Sequence, residues 1–242
     1  ATTDDSFAAN GNRPAIEIDG NNLGGDGLVL TATADGSTIR GLLIRNFGSD
    51  GIRIDAGSNN NTIVGNYIGG LTSAGTAAAV GNDNDGIGII VRGANNIIGG
   101  SAVADRNVIA GNGDDGVWIT GASATGNQVI GNYIGTDASG TVAVGQGDDG
   151  VDLDNGASGN VIRGNLISGN AVNGIDFFAA SGNAISGNLI GLDANAAVAL
   201  GNGGNGILIL SSNNNIIGGM TAADRNVVSG NAGNGIVLTG AA

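Results

Sequence analysis

Carboxylates and a single tryptophan are the side chains of this sequence that could do chemistry. The chain has 21 acidic and 8 basic residues, no His and no Cys. Every basic residue is Arg, so Lys is absent as well. Catalytic triads that need His or Cys, and zinc sites built on those residues, are therefore excluded. Carboxylates remain as groups that could bind a cation or transfer a proton.

Three short segments place carboxylates and aromatic residues at matching positions. The segments VWIT (117–120), VDLD (151–154) and IDFF (175–178) each follow an Asp-Gly or Asn-Gly pair. If the first residue of each strand points inward, the second and fourth point outward. The outward residues of three adjacent strands would then form one surface, which we call the acidic-aromatic patch: Trp118, Thr120, Asp152, Asp154, Asp176 and Phe178.

This patch has the composition of a site for a cation or a sugar. Asp152 and Asp176 would be neighbours about 4.8 Å apart, and like charges at that spacing are destabilising unless a ligand neutralises them. Calcium prefers several carboxylate and carbonyl oxygens, so Asp152, Asp154 and Asp176 are its predicted ligands. Trp118 would offer a flat apolar face to a sugar ring. Two alternatives remain open: the three carboxylates could be catalytic, or the patch could be an ordinary solvated surface.

An internal repeat determines which residues share a position. A Gly followed by an apolar residue recurs along the chain, and the shortest interval, from Gly150 to Gly174, is 24 residues. Each unit also contains two more short apolar pairs between Gly or Asn residues. Because Gly interrupts every stretch before a helical stripe can form, the pattern predicts three short strands per unit. The anchoring glycines are Gly27, Gly51, Gly86, Gly116, Gly150, Gly174, Gly206 and Gly235.

The repeat register predicts the surroundings of individual residues. Asn132, Asn165 and Asn188 should stack as a ladder of side-chain amides. Ile87 and Phe177 should point inward, and Tyr67 and Tyr133 should hold equivalent structural positions. The Asp148–Asp149 pair recurs at the same repeat position as Asp114–Asp115, so we interpret it as a turn before a strand. The predicted outward rows are Arg53, Gly88, Trp118, Asp152, Asp176, Leu208 and Asp55, Ile90, Thr120, Asp154, Phe178, Leu210.

Extra length in the units predicts loops on one side of the molecule. Related segments at 71–81, 136–145 and 192–201 follow the third strand of every second coil. Shorter insertions, GGSAVADRN and GGMTAADRN, precede the third strand in the third and seventh coils. Coils that alternate in this way would present the long loops as a fringe, about 9 to 10 Å apart.

The motifs GNYIG and DRNVI, with PAIEIDG and GSTIRGLLIRNF near the start, carry a family resemblance. The chain resembles the parallel β-helix repeat proteins of bacterial secreted and surface polypeptides, within the pectate-lyase-like superfamily. This resemblance implies an all-β, right-handed parallel β-helix solenoid of about seven to eight coils with three short strands each. Residues 14–242 would form this single domain, a fragment of a larger protein, and residues 1–13 would form a partial cap.

The resemblance implies that most enzymes of this superfamily use residues that the sequence lacks; lyase members use an Arg or Lys base, and here Lys is absent and the Arg residues are scattered. Polygalacturonase-like hydrolases carry an Asp-Asp pair together with Gly-His-Gly and Arg-x-Lys motifs, and epimerase-like chemistry would be expected to use a His. We therefore predict a structural or adhesive module, secreted or at the cell surface, that binds a glycan or a cation on one face. The alternative is a carbohydrate-active enzyme, a polysaccharide hydrolase or lyase, that uses the Asp cluster.

Charge and hydropathy limit the partners of the chain. A net charge of −13 would repel nucleic-acid phosphates and anionic membranes. No apolar run reaches the roughly 18 residues of a spanning helix, so we predict no membrane insertion. The predicted partners are a polysaccharide, another surface protein, or a second copy of the chain that adds to the open strand edges at the solenoid end.

Overall fold

The structure is a computed structural model that describes residues 14, 16–78, 80–82, 86 and 88–240. In this part of the chain, 23 short strands form three parallel sheets. Helical structure is confined to two 3₁₀ turns, Val103–Asp105 and Ala222–Asp224. No helix in the described residues is long and apolar enough to cross a membrane. The segment 1–13, predicted as a cap, lies outside the described residues.

Each sheet takes one strand from every coil. Sheet A contains β1 (Ile16–Leu23), β4 (Leu42–Phe47), β7 (Tyr67–Gly69), β10 (Val108–Ala110), β13 (Tyr133–Ile134), β16 (Leu166–Ile167), β19 (Leu189–Ile190) and β22 (Val227–Val228). Sheet B contains β2 (Leu28–Leu30), β5 (Ile52–Ile54), β8 (Ile89–Val91), β11 (Val117–Thr120), β14 (Val151–Asp154), β17 (Ile175–Phe178), β20 (Ile207–Leu210) and β23 (Ile236–Thr239). Sheet C contains β3 (Thr38–Arg40), β6 (Thr62–Val64), β9 (Ile97–Gly99), β12 (Gln128–Ile130), β15 (Val161–Arg163), β18 (Ala184–Ser186) and β21 (Ile216–Ile217).

The chain passes through sheets B, C and A in that order and then starts the next coil. The strands β2 to β22 make seven complete coils, which we number 1 to 7, with β1 before them and β23 after them. Every strand pair is parallel and joins equivalent strands of adjacent coils, as in Val151 with Ile175. The predicted parallel β-helix of seven to eight three-strand coils is confirmed.

Alternate residues of each strand fill the interior. Ile, Leu and Val side chains from all three sheets form one continuous core, and most of them are fully buried. Phe177 belongs to this core and has no exposed surface, as predicted, whereas its neighbour Phe178 is 53% exposed. Apart from β1 and β4, the strands are two to four residues long, so each presents only one or two side chains to the core.

Side-chain amides form continuous ladders at the bends. The predicted ladder of Asn132, Asn165 and Asn188 is confirmed: the backbone N–H of each donates to Oδ1 of the next, at 2.9 Å and 3.0 Å. Its members are buried, so these bonds satisfy polar groups that water does not reach. This ladder extends in both directions, and two more run beside it. The three ladders are Asn66, Asn107, Asn132, Asn165, Asn188, Asn226; Asn61, Asn96, Asn127, Asn160, Asn183, Asn215; and Asn82, Asn112, Gln146, Asn170, Asn202, Asn231.

The long loops lie together over sheet A, which confirms the predicted fringe. Tyr67 and Tyr133 each pair with Val108 and so hold equivalent positions, as predicted. Apolar residues of the loops pack against these side chains, with Leu71, Ala138 and Val144 in one cluster. The loops also contact one another across the intervening coil, because Ala138 N–H donates to Gly75 O and Ala194 N–H donates to Gly140 O, both at 2.8 Å. The fringe is thus a continuous cover.

The predicted register is wrong in coil 3. The pairing of Ile90 with both Arg53 and Trp118 places Ile90 in the first outward row, where Gly88 was predicted. Gly88 takes the position predicted for Gly86, since its N–H bonds Asp115 O, as the N–H of Gly116 bonds Asp149 O. The sequence Gly-Ile-Gly-Ile (86–89) offers two equivalent registers, and the unit before it is two residues longer than predicted. Ile87, predicted to point inward, lies outside the described residues.

Candidate functional site

The outer face of sheet B brings the predicted patch together. Trp118 pairs with Asp152 and Thr120 pairs with Asp154. In the next coil Asp152 pairs with Asp176 and Asp154 pairs with Phe178. The six residues therefore occupy a grid of three adjacent strands, two residues from each. Apolar side chains border it on both sides, with Ile90 in coil 3 and Leu208 in coil 7.

Several polar atoms in this patch are buried without a partner. They are Trp118 Nε1, Asp154 Oδ1 and Asp176 Oδ1, none of which has a hydrogen-bond partner among the described residues. Leaving a buried donor or acceptor unsatisfied costs about 1–3 kcal/mol. Thr120 differs from them, because it is buried and its hydroxyl accepts from Asn155 Nδ2 at 3.2 Å. Thr120 is thus a buried member of the outer face with a satisfied hydroxyl, while Phe178 projects into solvent.

Four further carboxyl groups lie at the start of the same strands. They are Asp114, Asp115, Asp148 and Asp149, from the two turns that precede β11 and β14. Carboxylate oxygens of Asp114, Asp115 and Asp148 lie within 4.8 Å of one another, close enough to share a metal ion. We name these four residues the turn carboxyls. Sequence reasoning assigned them to the turn and left them out of the site, although two Asp-Asp-Gly segments one coil apart were the signal that could have identified them.

The turn carboxyls also have a structural role. Asp149 N–H donates to Asp115 Oδ1 at 3.0 Å, and Asn173 N–H donates to Asp149 Oδ1 in the next coil. The row continues through Asn205, whose N–H donates to Asn173 Oδ1 at 2.9 Å. Asp115 and Asp149 therefore occupy a fourth ladder, whose later positions hold the neutral residue Asn. The turn interpretation is confirmed. The same row begins with Asp26 and Asp50 in coils 1 and 2, where Asp50 N–H donates to Asp26 Oδ1 at 3.2 Å, so a carboxyl group at this position is compatible with the ladder.

Four of these carboxyl groups have raised pKa values and so retain their protons unusually well. Burial is the main cause, and it raises the pKa of Asp115 to about 9 and that of Asp152 to about 8, from the usual 3.8. Burial likewise raises the pKa of Asp149 to about 7 and that of Asp176 to about 6. Neighbouring carboxylates raise these pKa values further. The charge of Asp152 raises the pKa of Asp115, and the charge of Asp154 raises the pKa of Asp152.

The salt bridges of the described arginines involve none of six acidic residues of the patch and the turns, namely Asp115, Asp148, Asp149, Asp152, Asp154 and Asp176. Arg53, on the same sheet two coils away, is bonded to Asp26 and Asp55 instead. The carboxyl groups of the patch and of the turns therefore combine close spacing, burial and unsatisfied oxygens in one place. A divalent cation would supply the missing positive charge, and a ligand hydroxyl could serve the orphaned polar atoms.

Comparison with known proteins places the chain in a family. A sequence model of the family described as the right-handed β-helix region matches residues 81–242, more than half of the chain. The chain belongs to this family. The right-handed parallel β-helix implied by the motifs is thereby confirmed. No curated protein sequence matches this β-helix chain significantly.

Two solved structures of the periplasmic alginate epimerase AlgG resemble this β-helix. A point mutant of AlgG is 17% identical with a TM-score of 0.50, and AlgG itself is 18% identical with a TM-score of 0.49. Each match covers 85% of this chain and 45% of the AlgG chain. At this identity the likeness shows the fold alone. The β-helix chain spans less than half the length of either match.

Proposed function

We propose that this β-helix is a polysaccharide-binding segment of a secreted or cell-surface protein, and that the acidic-aromatic patch binds the ligand with the help of calcium. The observation that carries the proposal is the set of three buried, unpartnered polar atoms beside carboxyl groups of raised pKa. A rigid scaffold that keeps such atoms unsatisfied loses stability, and a ligand that satisfies them recovers it. The periplasmic location of AlgG, which has a similar fold, is compatible with export.

Calcium is the cation that this donor set suits. The oxygens available are carboxylates, and Ca²⁺ takes six to eight oxygen ligands in flexible geometry. Asp152, Asp154 and Asp176 would bind it from the patch, and Asp114 and Asp148 could bind it from the turn. Ion binding would displace protons from the carboxyl groups, because the cation stabilises their charged form.

The sugar would lie against the aromatic side chains. Trp118 is partly exposed, and Phe178, on the far side of Asp154, is 53% exposed. Aromatic residues of this kind combine an apolar body with, in Trp, a polar N–H. A sugar ring placed between them could accept a hydrogen bond from Trp118 Nε1 and donate one to Asp154 Oδ1. AlgG is an epimerase of alginate, and its similar fold makes a polysaccharide a reasonable ligand class to test first.

Calcium titration monitored by tryptophan fluorescence tests the cation step. The chain has one Trp, so its emission reports on the patch, and thermal melting reports on stability. We expect calcium to change the emission and to raise the melting temperature, and we expect Asp152→Asn combined with Asp176→Asn to abolish both effects. Asp193→Asn is the matched control, because Asp193 lies in a long loop on another face. An unresponsive parent protein, or an unaffected double variant, would refute the calcium site.

Affinity electrophoresis in gels that contain acidic or neutral polysaccharides tests the sugar step. We expect at least one polysaccharide to retard the protein in calcium and not in a chelator. Trp118→Ala should abolish the retardation, whereas Val198→Ala, at an exposed loop position, should not. Equal mobility of the parent protein in every gel would contradict polysaccharide binding.

A carbohydrate-active enzyme is the second candidate. The observation in its favour is that Asp152 and Asp176 are paired and have pKa values of about 8 and about 6. At neutral pH one carboxyl would hold a proton and the other would be ionised, which is the division of roles that a glycosidase pair requires. Assays for new reducing ends and for unsaturated sugars would detect hydrolase or lyase activity. If neither product forms from polysaccharides that the protein binds, binding without catalysis is the function.

A further inference from the structure

A recess lies away from the patch, at the corner between sheets C and A. It has a volume of about 260 Å³, and two arginines line it. We call it the arginine notch and define it by Ser101, Ala102, Arg106, Gly131, Arg163 and Gly164. Its basic character is unexpected in a chain with a net charge of −13.

The insertion of coil 3 lines the notch, and the insertion of coil 7 lies beyond it along the axis. Each insertion folds back toward the preceding coil, as Gly65 N–H bonds Asp105 O and Gly187 N–H bonds Asp224 O show. Coils 4 and 5 have only a bare bend at this corner, at Gly131 and Gly164. The bend of coil 6, at Gly187, is covered by the insertion of coil 7. The notch is therefore a gap of about two coils, close to 10 Å, lined on one side by the insertion of coil 3.

The two arginines are held differently. Arg106 stacks 3.8 Å from the ring centroid of Tyr133, and its Nε donates to Gly131 O at 3.4 Å. Arg106 forms no salt bridge with any residue that the structure describes. Arg163 is bonded to Asp224 at 3.1 Å, and its side chain remains 48% exposed. Asp224 also accepts from Thr221 Oγ1 at 2.7 Å, so its charge is shared between two partners.

Size and charge together indicate the ligand. The volume equals that of about nine water molecules at roughly 30 Å³ each, which exceeds what a small inorganic anion fills. It also falls just below the range of about 300–1,000 Å³ that is usual for drug-sized ligands. A guanidinium binds a carboxylate through two parallel hydrogen bonds. We propose that the arginine notch binds a single acidic sugar unit, a uronate, with its carboxylate on Arg106 and its ring between the insertion of coil 3 and Gly164.

Ligand-observed NMR titration with sodium glucuronate tests the proposal. We expect saturable binding of glucuronate and at least tenfold weaker binding of methyl glucoside, which has no carboxylate, and of acetate, which has no ring. Arg106→Gln should weaken glucuronate binding about tenfold or more, the effect of losing a charge-assisted hydrogen bond worth at least about 1.4 kcal/mol. Arg225→Gln is the matched control, because Arg225 holds the same place in the second ADRN motif and does not line the notch.

A second variant, which fills the notch with a side chain, tests the proposal independently in case Arg106→Gln does not fold. Gly164 has a φ of +65° and open space where a Cβ would lie, and Gly182 has a φ of +74° with the same open space. Asn tolerates this backbone conformation better than other side chains do. We expect Gly164→Asn to abolish glucuronate binding with both arginines intact, and Gly182→Asn, outside the notch, to leave it unchanged.

The results separate this proposal from the calcium-dependent patch. Glucuronate binding at the notch should persist in a chelator and in the Asp152→Asn, Asp176→Asn variant. Absence of glucuronate binding, equal binding of acetate, or normal binding by both Arg106→Gln and Gly164→Asn would each overturn the proposal. None of these outcomes bears on whether calcium binds at the patch.

Discussion

At the scale of single residues, the fourth ladder shows a conflict between structure and charge. Asp115 accepts a backbone N–H from Asp149, a bond that a neutral amide could accept equally well. The same position in coils 6 and 7 is in fact neutral, as Asn173 and Asn205. The row also holds Asp in coils 1 and 2, where Asp50 N–H donates to Asp26 Oδ1 at 3.2 Å, so the ladder accepts either residue. The carboxyl groups of coils 4 and 5 differ in lying beside the patch, where a cation could use their charge.

Asp115→Asn should reduce the pH dependence of stability. The folded protein holds the Asp115 proton up to a pKa of about 9, whereas the unfolded chain loses it near 3.8. The folded state thus binds more protons between these values, and the free energy of unfolding falls as pH rises through this window. Without calcium, we expect Asp115→Asn to melt about 3 °C or more above the parent at pH 8 and nearly with it at pH 3.5.

Asp193→Asn is the control for this pH profile. Backbone N–H groups of Val198 and Ala197 lower the pKa of Asp193, so its substitution should give no such gain at pH 8. Parallel pH profiles of the Asp115→Asn variant and the parent would contradict the prediction.

At the scale of elements, the residues of each strand alternate between the core and the outer face, so packing residues and candidate binding residues alternate along the chain. In β17, Ile175 and Phe177 are buried, while Asp176 and Phe178 face outward. Each strand contributes so few side chains to the core that single positions carry much of its packing. The two phenylalanines of β17 consequently differ in role: Phe177 packs in the core, and Phe178 is exposed on the outer face.

Substitution of the two phenylalanines of β17 should separate these roles. Phe177→Ala removes a fully buried ring and leaves a cavity, so we expect it to lower the free energy of unfolding by about 3–5 kcal/mol. Phe178→Ala should change it by less than about 1 kcal/mol, because the ring is 53% exposed. Urea unfolding measures both values, and similar losses from the two substitutions would show that β17 is packed differently.

Sequence alone predicted the coils, the Asn ladder and the six residues of the patch, because all depend on the period of alternation. It failed where alternation gives no information. The repeated Gly-Ile before β8 fits two registers, and only strand pairing places Ile90 beside Trp118. The turn carboxyls precede their strands, so the inward–outward rule does not apply to them. Arg106 and Arg163, from coils 3 and 5, line the arginine notch together, and this proximity depends on the folded path of an insertion.

At the scale of the whole molecule, the solenoid is a one-dimensional stack. Each strand pairs only with its equivalents in the coils before and after it. Core residues in the middle coils, such as Val117 and Val151, are fully buried, whereas Ile236 and Leu238 in β23 are 45% and 66% exposed. Stability should therefore vary along the axis rather than be uniform.

Hydrogen exchange should reveal this gradient in the chain of 242 residues. We expect amides of β11, β14 and β17 to exchange slowest, since neighbouring coils cover them on both sides. Amides of β22 and β23 should exchange at least about tenfold faster under the same conditions. Mass spectrometry of peptides from each coil measures the difference, and equal protection along the axis would indicate that all coils unfold as one cooperative unit.

The long loops over sheet A contact one another only in alternate coils, so the structural repeat of the solenoid is a pair of coils. Ala138 meets Gly75, and Ala194 meets Gly140, only because each loop-bearing coil is followed by one without a long loop. Duplicating or deleting two neighbouring coils would preserve this alternation, whereas changing the number by one would bring like coils together and break the cover. Tandem growth of this repeat should therefore proceed by even numbers, and designers who lengthen it should copy coil pairs.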